Sequence, residues 1–216
     1  MTKSLYIAVE GPIGVGKTTL VNRLAERLSA QVVLEAFEDN PFLTRFYEDR
    51  ERWAFPTQLF FLMSRFKQQQ ELQQPDLFRP NLLSDYHLLK DRIFAELTLG
   101  QDELMLYERV YRSLEAQILR PDVIIYLHAP LPTLLARIAR RGRDFEKDMD
   151  PDYMAGLAAA YRRFFMRYES TPLLEVDNER LDYAADTAEA WAIVETVAAT
   201  ARRLARAAIP AREELR

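Results

Sequence analysis

Gly11-Pro12-Ile13-Gly14-Val15-Gly16-Lys17-Thr18 fits the pattern G-x-x-x-x-G-K-[ST], and it constrains the fold more than any other feature of the chain. An apolar run, Leu5–Val9, precedes it and reads as a buried strand. A helical pattern follows over 17–29, with Leu20, Val21, Leu24 and Leu28 on one face. A glycine loop between a strand and a helix brings backbone N–H groups against phosphate, and the helix N-terminus adds positive potential. Lys17 can reach the β- and γ-phosphates, the Thr18 hydroxyl can hold Mg²⁺, and Thr19 continues the same turn. A nucleoside triphosphate, ATP, is therefore the expected ligand of residues 11–19, and a parallel α/β sheet the expected scaffold.

The rest of the chain agrees with that scaffold. Apolar runs at Gln31–Glu35, Leu82–Asp85, Asp122–Leu127 and Leu173–Val176 read as further strands. Helical patterns are expected at 41–47, 52–72, 87–98, 102–118, 131–141, 151–168 and 184–208. The helix at 52–72 carries Phe55, Leu59, Leu62 and Phe66 at helical spacing. Strands alternating with helices predict a five-stranded parallel sheet flanked by helices, a P-loop NTPase fold, in one domain spanning 1–216.

Composition excludes several functions. There is no cysteine, so thiolate metal sites, disulfides and cysteine nucleophiles are absent. Two histidines, His87 and His128, are too few for a histidine-rich metal site. A formal net charge of −4 argues against a general nucleic-acid binder. The five-residue apolar run near the N-terminus is too short for a signal sequence, and no run approaches the roughly 18 residues of a membrane span. A cytoplasmic protein with no membrane partner is the expectation.

Among P-loop proteins, a guanine-reading Asn-Lys-x-Asp is missing, as is an apolar run ending in Asp-Glu. Two features of a small-molecule kinase are present. Leu82-Leu83-Ser84-Asp85 is an apolar strand ending in Asp, a second carboxylate near the phosphates. Arg137, Arg140, Arg141 and Arg143 lie around Gly142, where they could close over a triphosphate as a lid at about 139–150. The same cluster also suits a solvated helix C-terminus.

With these residues in place, the chain resembles the deoxyribonucleoside kinase family over nearly its whole length. The matching segments are Glu10–Lys17, Glu35 with Asn40–Leu43, Phe46–Glu48, Glu51–Phe55 with Gln58, Ile93–Ala95, and Arg137 through Glu146. Ser84–His87 and Arg141-Gly142-Arg143 with Phe145-Glu146 are most similar to bacterial deoxyguanosine kinases. The resemblance implies Glu35 as the base for the sugar 5′-hydroxyl, Tyr47 and Glu146 on the 3′-hydroxyl, and Gln58 and Arg65 on the base. It also implies Arg137, Arg141 and Arg143 on the phosphates, Asp85 on Mg²⁺ or assisting the base, and a homodimer. One departure stands out. The family has an acidic residue, then Arg, then Ser at the end of the third strand, whereas this chain has Ser84-Asp85-Tyr86. His87, Lys90 and Arg92 are the nearby substitutes for the missing arginine. The family also places an acidic residue just before Ile93-Phe94-Ala95, a position read here as Lys90. Two donors, Arg65 and Lys90, would suit the O6 and N7 acceptors of guanine, so deoxyguanosine is the expected acceptor. Deoxyadenosine or deoxycytidine, a nucleoside monophosphate, or nucleotide binding without transfer are the alternatives.

Overall fold

The computed structural model describes residues 4–71, 81–146 and 149–208. Five parallel strands form one sheet: β1 (Tyr6–Glu10), β2 (Ala30–Val33), β3 (Asn81–Ser84), β4 (Val123–His128) and β5 (Leu173–Asp177), in the order β2-β3-β1-β4-β5. β1 lies at the centre. It pairs Tyr6, Ile7 and Ala8 with Leu82, Leu83 and Ser84, and Ile7–Glu10 with Val123–Tyr126. All five β1 residues are buried, as a strand with neighbours on both edges and helices on both faces requires.

The helices are α1 (Lys17–Leu28), α2 (Leu43–Glu48), α3 (Arg50–Glu71), α4 (Leu89–Thr98), α5 (Gln101–Glu115), α6 (Leu131–Arg141), α7 (Pro151–Phe165) and α8 (Ala188–Ala207). α1 buries Leu20, Val21, Leu24 and Leu28, the face expected from sequence. α6 ends at Gly142, whose φ of 68° provides the left-handed residue that stops a helix. Short 3-10 turns at Phe37–Asp39 and Asp144–Glu146 were not foreseen. Residue 72, the expected end of the long helix, and lid residues 147 and 148 lie outside the described residues.

α3 differs from the amphipathic helix its apolar spacing suggests. Leu62 and Phe66 are buried, but Phe55 and Leu59 are only half-buried. The buried face also carries Thr57, Gln58, Arg65 and Gln69. Buried polar side chains are normally hydrogen-bonded: Arg65 pairs with Glu35 and Asp91, Gln58 with Thr98, and Gln69 with the Tyr6 hydroxyl. Glu35 lies in the crevice beyond the C-terminal end of β2. Ligands of open parallel sheets sit in that crevice.

Candidate active site

The loop of residues 11–16 turns from β1 into α1. Gly14 has φ of 81°, and a Cβ there would come within 2.8 Å of the Leu134 carbonyl oxygen, so α6 packs directly on the loop backbone. Lys17 Nζ donates to the carbonyls of Gly11 and Pro12, at 2.8 and 3.1 Å. Burial, and Lys90 nearby, lower its pKa to about 8. Thr18 Oγ1 donates to Asp85 Oδ2 at 2.5 Å, and Asp85 Oδ1 accepts the Glu35 backbone N–H at 2.8 Å. Asp85 thus ties the phosphate loop to the segment after β2.

Thr18 and Asp85 offer two hard oxygen donors side by side. Among the described residues no group of three or more His, Cys, Asp or Glu side chains could hold a metal. This fits Mg²⁺, which takes one or two protein oxygens and fills its remaining positions with phosphate oxygens and water.

Glu35 lies two residues past β2 rather than at its end. Its Oε1 accepts from Arg65 Nε at 2.9 Å and from Arg65 Nη2, and its Oε2 from Lys90 Nζ at 2.6 Å. Burial works to raise its pKa, but the two cations outweigh it and hold the carboxyl well below the usual range. Arg65 Nη1 donates to Asp91, which is fully buried. Arg65, Lys90, Glu35 and Asp91 therefore form a buried cluster of two cations and two carboxylates. Burial pushes the Asp91 carboxyl up to about 6 against the pull of Arg65.

This cluster bears on the sequence reading of Lys90. An acidic residue, Asp91, stands one place beyond Lys90 and takes the Arg65 guanidinium. Lys90 donates to Glu35. Of the three residues considered for the missing arginine, only Lys90 lines the cleft. Arg92 pairs with Glu108 at 2.9 Å. His87 is buried between the Leu89 N–H, which its Nδ1 accepts, and the Leu119 carbonyl. Burial lowers its pKa to about 4, so it is a neutral structural residue.

On the far side of the cleft, Tyr47 stacks on Phe145, with ring centroids 5.8 Å apart. Glu146 is buried and takes three hydrogen bonds from Arg141, at 2.6 to 3.1 Å. Arg143 lies 3.9 Å above the Phe37 ring. Gln58 Nε2 donates to Thr98 Oγ1 at 3.4 Å, leaving its Oε1 without a partner among the described residues. Arg137 differs from the expected lid. Its guanidinium donates to the carbonyls of Val15 and Asn178, at 3.3 and 2.8 Å, and so braces the loop.

Two cavities open onto this arrangement. A cleft of about 850 Å³ runs from the phosphate loop past Glu35 and Tyr47 to Gln58 and Arg65. A second, of about 1120 Å³, runs from the loop past Thr19, Arg137 and Arg140 to residues 178–184. Both are lined by Gly14, Lys17, Thr18, Arg141 and Arg143, so they meet where the cations are.

Glu10 was not singled out from sequence. It closes β1, fully buried, and its Oε1 accepts the His87 backbone N–H at 2.5 Å while Oε2 has no partner among the described residues. Burial raises its pKa to about 7 against the pull of Lys90 and Lys17. A carboxylate ending an otherwise apolar strand beside a glycine loop was the signal that could have revealed it.

The family model described as deoxynucleoside kinase matches residues 7–201. The chain belongs to the deoxynucleoside kinase family. It is 38% identical to a deoxyguanosine kinase of Bacillus subtilis (strain 168) over 188 residues, 85% of this chain and 91% of the relative. It is 33% identical to a deoxyadenosine/deoxycytidine kinase of the same organism, over 91% of this chain and 93% of that one. Among solved structures, deoxyadenosine kinase from M. mycoides with bound dATP superposes with a TM-score of 0.77 at 26% identity, covering 89% of this chain and 99% of that one. The same enzyme with products dCMP and a flexible dCDP gives a TM-score of 0.78. The P-loop NTPase fold is thus established along with the family.

Proposed function

We propose that this kinase transfers the γ-phosphoryl group of ATP to the 5′-hydroxyl of deoxyguanosine, giving dGMP and ADP. The observation that carries the reading is the junction of the two cavities. A donor in one and an acceptor in the other would meet at Lys17, Arg141 and Arg143. The solved deoxyadenosine kinase structures, one with dATP and one with the products dCMP and dCDP, support the same pairing of triphosphate and deoxynucleoside sites.

In this reading Tyr47 and Glu146 hold the sugar, Gln58 and Arg65 hold the base, and Glu35 takes the 5′-hydroxyl proton as the oxygen attacks phosphorus in line. A carboxylate paired with two cations is a weak base. The loose transition state of phosphoryl transfer asks little of a base and much of positioning and charge neutralisation. Thr18 and Asp85 would hold Mg²⁺, which would supply positive charge to offset that of the phosphates. Away from the junction, the cations Arg65 and Lys90 of the acceptor cleft are matched by Glu35 and Asp91, which favours an uncharged nucleoside over a nucleoside monophosphate.

Guanine is supported by the 38% relative and by Arg65, a natural donor to O6 and N7. A second reading, deoxyadenosine or deoxycytidine, is favoured by Gln58 Oε1, an acceptor in the cleft without a partner among the described residues, which suits an amino group. Assay of all four deoxynucleosides with labelled ATP at fixed Mg²⁺ decides between them. The highest kcat/KM is expected for deoxyguanosine, and a clear preference for deoxyadenosine or a pyrimidine would overturn that choice. A homodimer and a cytoplasmic location complete the proposal. α3 and α5 expose Met63, Met105 and Leu106, apolar residues that an interface would cover, and light scattering in solution measures the oligomeric state. No helix among the described residues is long and apolar enough to cross a membrane.

A further inference from the structure

The connection between β5 and α8 grips the phosphate loop by its carbonyls. Val15 C=O accepts from Asn178 Nδ2, and from Arg137 Nη1 at 3.3 Å. Gly16 C=O accepts from the Leu20 N–H at 3.1 Å, the first bond of α1, and from the Tyr183 hydroxyl at 3.2 Å, and that hydroxyl in turn accepts from Asn178 Nδ2 at 2.7 Å. A carbonyl can only accept, so the Val15 contact fixes which way the Asn178 amide is turned. Asn178 is itself held at both ends. Its N–H donates to the His128 carbonyl at 2.8 Å, and its C=O takes the Arg137 guanidinium at 2.8 Å. Asn178 and Tyr183 are both buried, at 1% and 4% exposure. Gly16 makes the approach feasible. Its φ is 100°, and a Cβ there would lie 2.8 Å from the Tyr183 hydroxyl and 3.2 Å from Asn178 Nδ2.

Peptide geometry turns this grip into a function. In a planar trans peptide the C=O and the following N–H point in opposite directions, and the described chain has no cis bonds. The Val15 carbonyl shares its peptide with the Gly16 N–H, and the Gly16 carbonyl shares its peptide with the Lys17 N–H. Anchoring the two carbonyls on Asn178 and Tyr183 aims both N–H groups away from those partners and leaves them for phosphate. We propose that Asn178 and Tyr183 are positioning residues for the donor triphosphate, acting through the backbone of Val15 and Gly16. Arg137 supports them from α6. The same connection lines the second cavity through Asn178, Leu181, Asp182 and Tyr183, so one segment both bounds the donor site and orients its phosphate-binding amides.

The proposal rests on the loop being the donor site, and its test separates the two. Asn178→Asp keeps the shape but removes both N–H donors, and Tyr183→Phe removes one hydroxyl. ATP binding to nucleoside-free enzyme and deoxynucleoside binding to ATP-free enzyme are measured by calorimetry, with steady-state KM for each substrate and thermal denaturation. Asn178→Asp is expected to raise Kd and KM for ATP about tenfold, the scale of one buried hydrogen bond lost, with Arg137 alone left on the Val15 carbonyl. Tyr183→Phe is expected to raise them about threefold on the same grounds. The deoxynucleoside Kd should stay within about twofold for both. Unchanged ATP affinity in the folded variants would overturn the proposal. Parallel weakening of both substrates with a fall in Tm would also overturn it, since it marks general support of the fold. If Asn178→Asp does not fold, Tyr183→Phe decides alone. A wild-type enzyme that binds no ATP would instead defeat the donor-site reading itself.

Discussion

Lys90 Nζ lies 2.6 Å from Glu35 Oε2, while Arg65, reaching from α3, holds Oε1 of the same carboxylate. Oε1 already accepts twice from Arg65, so Oε2 keeps the lone pair that a hydroxyl can address. The two cations leave Glu35 little freedom to rotate, so it is oriented before substrate arrives. Replacing Glu35 with Gln keeps the shape but removes the proton acceptor. A fall in kcat of roughly 10²–10⁴ is expected, with a much smaller change in deoxynucleoside affinity. A loss below about tenfold would mean that Glu35 is not the base and would turn attention to Asp85.

Lys17 donates to two carbonyls of its own loop, Gly11 and Pro12, so its charge is already placed within the loop. Lys17→Ala removes that charge from the junction of the two cavities. Phosphoryl transfer should be nearly abolished while the circular dichroism spectrum stays that of the folded enzyme. Near-normal turnover in the variant would contradict the phosphate-loop assignment.

The strand–loop–helix unit was legible in the sequence because each of its parts is local. The loop glycines, Lys17, and the face of Leu20, Val21, Leu24 and Leu28 lie within a few residues of one another. The arginine cluster at the C-terminal end of α6 was legible for the same reason. What escaped depends on partners distant in the chain. The polar face of α3 reads as a flaw in an amphipathic helix until Glu35, Asp91 and Lys90 are brought against it. Asp91 sits beside Lys90 in sequence, and only the direction each takes from α4 separates an Arg65 partner from a Glu35 partner. Arg137 looks like its lid neighbours, but its place on α6 brings it against the carbonyls of Val15 and Asn178.

The Arg65–Asp91 contact makes a quantitative prediction about the buried cluster. Two cations and two carboxylates balance, and removing one carboxylate leaves a buried charge partly uncompensated. Asp91→Ala should cost about 3–5 kcal/mol, and Tm should fall by roughly 10 °C. Removing Arg65 as well leaves Lys90 and Glu35 as a matched pair. The double variant Arg65→Met/Asp91→Ala should therefore be more stable than Asp91→Ala alone. Thermal denaturation of the three proteins checks the order, and a double variant less stable than the single one would refute the charge-balance account.

Glu10 gives a prediction whose sign depends on pH. Its pKa in the fold, about 7, lies above the ordinary 4.5, because burial disfavours the charge more than Lys90 and Lys17 favour it. A carboxyl with a raised folded pKa contributes stability that is fully present below about 4.5 and is lost as pH rises through about 7. Glu10→Gln cannot ionise and should escape that loss. Its Oε1 can still accept the His87 N–H, while the new amide nitrogen, placed where Oε2 has no partner, adds a cost that does not vary with pH. The informative quantity is therefore the slope. The stability of Glu10→Gln relative to wild type should rise between pH 5 and pH 8, by up to about 3 kcal/mol. Asp91 and His87 also titrate abnormally in the fold, but they are common to both proteins and cancel in the difference; Lys17, held at about 8 partly by Glu10, does not, and its contribution is confined to the pH 8 point. Urea denaturation of the two proteins at pH 5, 6, 7 and 8 measures the slope. A difference that stays constant across that range would show that Glu10 keeps one charge state throughout, and that Lys17 and Lys90 neutralise it more strongly than its burial opposes them.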